Sequence, residues 1–353
     1  MTETPTWPAL LSTLSSEQNL SIAEAEWAMN EIMSGETSPA RLAAFLVALG
    51  MKGETVDEVV GFRDAILEHA VSLTVDPLAL DIVGTGGDRL RTINVSTTAA
   101  IIASSAGVPV LKHGNRAASS SSGSSDVLAA LGIDLSLSSD QVADVFRRVG
   151  ISFAFASAFH PGFAHAAPVR SELGIPTVFN FLGPLCNPAR PEASAVGVAD
   201  PARIPLIVGV FQTRGATALV FRGDDGLDEL STTGHSHVWE ISRGLVTEHD
   251  LDPRELGIPR ATIDQLRGKD APYNASILLS VLDGTVSPAR DIALLNAAAG
   301  LVAYDLALDP QQASVPLLER FAANMVRATT AVNDGAAHAK LNEWVAASNS
   351  FNK

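Results

Sequence analysis

Two glycine- and serine-rich loops, each following a short apolar run and each leading into a helical pattern, constrain this chain of 353 residues more than any other feature. The first is Asp81-Ile82-Val83-Gly84-Thr85-Gly86-Gly87-Asp88, and the second is Lys112-His113-Gly114-Asn115-Arg116-Ala117-Ala118-Ser119-Ser120. Strand, loop and helix in that order form the unit of an α/β fold, so both loops are expected at the carboxyl edge of one parallel sheet, where ligands bind. Glycine adopts positive φ and has no side chain to hold a phosphate away, so successive N–H groups can close on one anion. Gly84, Gly86 and Gly87 meet that need. One such loop alone reads equally well as a glycine turn before a capped helix; the second loop shifts the balance toward a ligand site.

Behind the first loop, Thr92-Ile93-Asn94-Val95-Ser96-Thr97-Thr98 sets hydroxyl and amide side chains before a helical run expected over Ala99 to Ala106. That would bring the unpaired amides of a helix N-terminus to the same site. Lys112 is the only lysine between Lys52 and Lys269 and ends the strand pattern Val108 to Leu111, where a point charge suits a phosphate. A solvated lysine at a strand end would have the same signature. The serines from Ser119 to Ser122, with Gly123, Ser124 and Ser125, run directly into the helical pattern Asp126 to Leu131, so they read as a loop and not a linker; Ser125 or Asp126 is the expected cap.

Residues 1–70 hold no convincing strand but several helix starts. Ser21 with Glu24 and Thr55 with Glu58 have capping-box spacing, and Ser38-Pro39 sets a cap before a first-turn proline. From about residue 74, apolar strands at Leu80 to Val83, Pro109 to Leu111, Ser152 to Phe155 and Ala218 to Phe221 alternate with helical stretches. The expected fold is therefore α/β: a large domain with a central, mostly parallel sheet flanked by helices, plus a small all-helical domain.

The formal net charge is −15, which disfavours binding to nucleic-acid backbones. Cys186 is the sole cysteine, so no intrachain disulfide can form and a reducing cytoplasm is the expected setting. The N-terminal residues lack the basic start and apolar core of a secretory signal. The stretch Thr98 to Leu111, taken as the most apolar, is too short and too interrupted to span a bilayer, so no membrane partner is expected.

The strings Gly84-Thr85-Gly86-Gly87-Asp88, Asn94-Val95-Ser96-Thr97, Lys112-His113-Gly114-Asn115-Arg116 with Ser119-Ser120, and Phe179-Asn180-Phe181-Leu182-Gly183-Pro184-Leu185 with Asn187-Pro188, in this order, resemble the anthranilate phosphoribosyltransferases over nearly the whole chain. The resemblance implies displacement of pyrophosphate from phosphoribosyl pyrophosphate (PRPP) by the amino group of anthranilate, in tryptophan biosynthesis. An aromatic amine is neutral at physiological pH and has a lone pair available, so no residue is assigned as acid or base. Positioning and stabilisation of the departing charge carry the expected catalysis.

By the same resemblance, PRPP would be bound by Gly84, Thr85, Gly86, Gly87, Asp88, Thr92, Asn94, Val95, Ser96, Thr97, Lys112, His113, Gly114, Asn115, Arg116, Ala117, Ala118, Ser119, Ser120 and Ser124. Anthranilate would meet Gly84, Asn115, Arg170, His113 and His160; the planar fork of Arg170 suits a carboxylate, although pairing with Glu172 is an alternative. Magnesium, as two ions per subunit, would be held by Asp228 and Glu229 with the Ser96 hydroxyl. Oxygen ligands on one or two carboxylates fit that cation, and neighbours in extended backbone point to opposite sides, which favours one ion each.

The resemblance further implies a homodimer and a division into a helical domain, 1–70 with a helical segment near 168–190, and an α/β domain, 74–167 and 191–353. Crossings at Gly183-Pro184 and Asn187-Pro188 would be hinges or merely rigid connections. Two positions depart from the family pattern. Arg89, followed by Arg91, stands where glycine is usual, and Lys269 stands where a second glycine is usual, outside the matched substrate motifs. A pyrimidine nucleoside phosphorylase and a noncatalytic nucleic-acid-binding relative are the rival readings. The contexts of Asn115 and Arg170 oppose the first, and the acidic charge with Asp228-Glu229 opposes the second.

Overall fold

Four helices open the chain in the computed structural model, which describes residues 4–76, 78–116 and 122–351. Ala117, Ala118, Ser119 and Ser120 lie outside the described residues. The helices are α1 (Trp7–Ser15), α2 (Ile22–Met33), α3 (Pro39–Lys52) and α4 (Val56–Glu68). Both expected capping boxes form: Ser21 with Glu24 begins α2 and Thr55 with Glu58 begins α4, while Ser38 caps α3 ahead of Pro39. Their apolar faces close on Trp7, Phe45 and Phe62, whose rings meet edge to face at centroid distances of 5.6 and 5.9 Å.

Strand and helix then alternate: β1 (Leu80–Gly84), α5 (Val95–Ser105), β2 (Val110–Gly114), α6 (Ser124–Ala130), α7 (Ser139–Val149), β3 (Ile151–Phe155), α8 (Ala156–Phe159) and α9 (Phe163–Leu173). They are followed by β4 (Ala193–Gly197), α10 (Ile204–Arg214), β5 (Thr217–Gly223), β6 (Ser236–Ser242) and β7 (Leu245–Leu251). Four helices end the chain: α11 (Ala271–Leu282), α12 (Pro288–Leu308), α13 (Leu317–Asn333) and α14 (Ala336–Ser348). The sheet order is β3-β2-β1-β4-β5-β6-β7, with β1 to β5 parallel and the β6–β7 hairpin antiparallel. The chain first winds from β1 toward β3 and then resumes on the other side at β4. The order reverses between β1 and β4, so the crevice at their carboxyl ends is where a ligand is expected in such a sheet.

Several local expectations shift. Helix α5 starts at Val95, not Ala99, so Ser96 and Thr97 occupy its first turn. Burial of nearly the whole helix between the sheet and the terminal helices overrides the low propensity of Val95, Thr97 and Thr98. Helix α6 is capped by Gly123, not by Ser125 or Asp126; the Asp126 carboxylate accepts the Gly123 N–H at 2.9 Å from inside the first turn. Pro168 lies within α9 and does not open a helix.

The Asn187-Pro188 crossing is anchored at Asn187. Asn187 is 4% exposed, and its amide donates to Asp81 Oδ2 at 2.9 Å and to Leu111 O at 2.8 Å. The most apolar long segment is α12, not Thr98 to Leu111. Its 21 residues have the length and apolarity to cross a bilayer, but most of the helix is buried against α5, β1, β4 and β5 as the central core helix.

Candidate active site

At the β1–β4 crevice, the acidic turn Asp228-Glu229 is drawn beneath the first glycine loop. It follows β5 as a bend and not as extended strand. Asp228 Oδ2 accepts the Gly86 N–H at 2.6 Å, and Glu229 Oε1 accepts the Ser96 N–H at 3.0 Å. The two carboxylates thus point to different partners, one on the loop and one at the start of α5. The acidic turn passes so close to two strand ends that a Cβ on Gly84 would overlap the Asp228 side chain at Oδ2, and one on Gly197 would overlap the backbone at Asp228 O. Gly197, on β4, carried no motif in sequence; only the sheet order reveals its role as the counterpart of Gly84. Gly86 and Gly87 have φ of 70° and 90°, as a loop folding its amides inward requires.

The electrostatics of this crevice are strained. Burial and the neighbouring Asp88 carboxylate push the Asp228 carboxyl up to about 7. Burial and Asp228 raise Glu229 well above the usual carboxylate range, and burial raises Asp88. The crowding of Asp228 and Glu229, with Asp88 close by, is a concentration of negative charge that a hard divalent cation would offset, although among the described residues no three acids or histidines converge on one ion position.

Lys112 is the cation that faces this cluster. It is 2% exposed and far from the solvated strand-end lysine considered above. Its ammonium donates to Ile82 O at 2.5 Å and to Ser96 Oγ at 3.4 Å. Desolvation lowers its pKa, while Asp81, Glu229 and Asp228 act in the opposite direction. Asp81, under the strand ends, is raised to about 6 by burial despite Lys112 and the Asn187 amide.

The second loop leaves β2 beside the first. Asn115 Oδ1 accepts from Arg116 N at 2.8 Å and from Ser157 Oγ at 3.2 Å, and Ser124 Oγ donates to Asn115 O at 3.2 Å. Thr85 N–H donates to Gly197 O at 2.9 Å, which ties the first loop to β4. The Asn94 side chain is engaged on both sides: its amide nitrogen donates to Ser122 O at 3.0 Å and its oxygen accepts from Asn274 at 2.9 Å. Sequence reasoning passed over Asn274. The Thr97 hydroxyl is buried and makes no hydrogen bond among the described residues.

A row of rings leads from β2 to α9. His113 meets His160 at 5.2 Å, His160 meets Phe163 at 5.2 Å, Phe163 meets Phe179 at 5.7 Å, and the Arg170 guanidinium lies 5.0 Å from the Phe179 centroid. The guanidinium of Arg170 thus turns to a ring and not to Glu172, and partial burial lowers its pKa. Burial pushes His113 down to about 3 and His160 to about 4, so both are neutral near pH 7. A neutral imidazole facing a carbonyl must donate to it. His113 Nδ1 therefore carries the proton toward Gly183 O at 3.0 Å, and Nε2 is left as a buried acceptor with no partner among the described residues.

The reversal of strand order thus sets both loops and the acid turn at the crevice where a sheet of this kind holds its ligand. The glycosyl transferase family's helical bundle domain matches residues 8–70, and its a/b domain matches residues 76–338. An anthranilate phosphoribosyltransferase of Leifsonia xyli subsp. xyli (strain CTCB07) is 69% identical over 347 residues, covering 98% of this chain and 99% of the relative. The crystal structure of the anthranilate phosphoribosyltransferase from Thermus thermophilus superposes with a TM-score of 0.87 at 38% identity, over 97% of this chain and 99% of that one. The Saccharomyces cerevisiae enzyme in complex with PRPP and Mg also gives 0.87, at 28% identity over 98% of each chain. The chain belongs to the anthranilate phosphoribosyltransferase family.

Proposed function

We infer that this enzyme transfers the phosphoribosyl group of PRPP to the amino group of anthranilate, giving N-(5-phosphoribosyl)anthranilate and pyrophosphate, in tryptophan biosynthesis. The observation that supports the reading is the convergence of the first glycine loop, Lys112 at the head of the second, and the Asp228-Glu229 turn on one crevice. In this reading the loop carrying Gly86 and Gly87, the segment from Thr92 to Thr97, and the loop from Lys112 to Arg116 with Ser124 grip the phosphates and ribose; the Gly86 N–H itself is engaged by Asp228 in this structure. Asp228, Glu229 and the Ser96 hydroxyl hold two magnesium ions. Magnesium held there would supply positive charge to offset that on the departing pyrophosphate.

Anthranilate lies toward Gly84 and Asn115, with its carboxylate on Arg170 and its ring along the His113–His160–Phe163–Phe179 row. Neutral histidines suit an amine that brings its own lone pair, and the buried His113 Nε2 can accept only from an N–H or O–H group. The helical bundle, with the segment near 168–190, carries the acceptor side, and the α/β body, 74–167 and 191–353, carries the phosphoribosyl side. A homodimer in the cytoplasm, with Cys186 reduced and no nucleic-acid or membrane partner, completes the proposal.

The test follows loss of anthranilate fluorescence with PRPP and magnesium. Folded protein that leaves anthranilate untouched while ribosylating another amine would reject the acceptor. Arg170→Ala should raise the KM for anthranilate about tenfold while PRPP binding by calorimetry changes little; equal loss of both would remove Arg170 from the acceptor site.

A further inference from the structure

The stretch from Leu266 to Asn274 belongs to none of the substrate motifs, yet it lies along the segment Arg91 to Asn94 that follows the first loop. Ile93 N–H donates to Leu266 O at 2.9 Å, Thr92 pairs with Arg267 in an antiparallel bridge, and Gly268 N–H donates to Arg91 O at 2.8 Å. Position 268 admits no side chain, because a Cβ there would sit 2.6 Å from Thr92 O and 2.8 Å from Asn274 Oδ1. Lys269 lies outside the matched substrate motifs along the chain, and in space it neighbours the Thr92 segment through Gly268 and Asn274. Lys269 contributes its backbone to this contact, donating N–H to Asn274 Oδ1 at 2.8 Å, while its ammonium lies 4.5 Å from the Tyr273 ring centroid.

Asn274, in the first turn of α11, is 2% exposed. Its Nδ2 donates to Asn94 Oδ1, and Asn94 Nδ2 donates to Ser122 O, the described residue at which the second loop re-enters the fold. Two amides therefore form one relay from α11 through the segment after the first loop to the second loop. Without Asn274, Asn94 Oδ1 would lose its partner, and a rotation that repaired this would abandon Ser122.

We propose that Asn274 is a positioning residue for the phosphoribosyl site: by fixing the Asn94 amide it sets the spacing of the two loops. The proposal rests on the reading that these loops hold PRPP. The full-length chain is compared as wild type, Asn274→Ala, Asn94→Ala and the double variant, by calorimetric PRPP binding with magnesium, KM for anthranilate, and melting temperature.

Asn274→Ala should weaken PRPP about tenfold and leave the KM for anthranilate within about twofold. The double variant should bind PRPP no more weakly than Asn94→Ala, because the second change acts through the first. Asn274→Asp keeps the acceptor for Lys269 N–H but has no hydrogen for Asn94, so it should match the alanine variant and takes its place if that one does not fold. Unchanged PRPP affinity at a lowered melting temperature, or losses that add in the double variant, would overturn the proposal while wild-type turnover stood. Wild type that neither bound PRPP nor consumed anthranilate would remove the underlying reading, and the proposal with it.

Discussion

Glu58 in the helical bundle and Glu229 beside the sheet are both buried glutamates, and their surroundings are opposite. Glu58 faces donors only: Lys52 Nζ at 2.9 Å, and the backbone N–H groups of Leu20 and Thr55 at 2.8 Å each. Glu229 has the Ser96 amide and Lys112 near it, but also Asp228 and, further off, Asp88. The first carboxylate is complete within the chain and holds α4 to the segment before α2. The second belongs to a group of acids that crowd one another, so burial and mutual repulsion hold its carboxyl groups toward the protonated form. Burial alone does not mark a functional acid; the sign of its neighbours does.

The largest expected effect lies on the structural side of this comparison. Glu58→Ala removes the counter-charge of Lys52, whose ammonium keeps Asn19 Oδ1 and Gly53 O, and leaves the Leu20 and Thr55 amides without their acceptor; it should lower stability by about 3–5 kcal/mol in urea or thermal unfolding, with activity per folded molecule retained in the cold. A small loss would mean that water replaces the carboxylate and that the two sites differ less than their contacts suggest.

Asp228→Asn should reverse that pattern. A carboxyl whose folded pKa is raised costs stability as pH climbs from its unfolded value of 3.8 toward about 7, so removing the charge should stabilise the metal-free protein at pH 8 by about 1–3 kcal/mol. Magnesium-dependent turnover should fall by about two orders of magnitude or more. A variant destabilised in EDTA would show that Asp228 serves the fold as Glu58 does.

Smallest is the effect at Arg89. It is exposed with φ of 60°, a conformation that glycine adopts freely, so Arg89→Gly should relieve about 1 kcal/mol of backbone strain. If its cation also meets pyrophosphate, the KM for PRPP should rise and become less sensitive to salt; an unchanged KM would make Arg89 a tolerated substitution only.

What was legible in the sequence is short-range. Ser21 with Glu24, Thr55 with Glu58, and the glycines from Gly84 to Gly87 act within one turn of chain, so spacing alone reveals them. The start of α5 at Val95 was not legible, because β-branched residues enter that helix only under tertiary burial. Nor were Gly197 and Asn274, or the contacts of Asn187 with Asp81 and Leu111, each of which matters through a partner more than 30 residues away. The antiparallel β6–β7 hairpin escaped notice because neither strand carries the continuous apolar run that marks β1 and β2, and β7 alternates exposed and half-buried positions.

Helix α12 has a consequence for synthesis. The strands it supports, β1, β4 and β5, leave the ribosome well before Pro288 to Leu308 does, so the underside of the nascent sheet must wait uncovered for its last apolar partner. At the usual pace of translation, about 5–20 residues per second, that interval lasts for seconds, and the protein is most exposed to aggregation then.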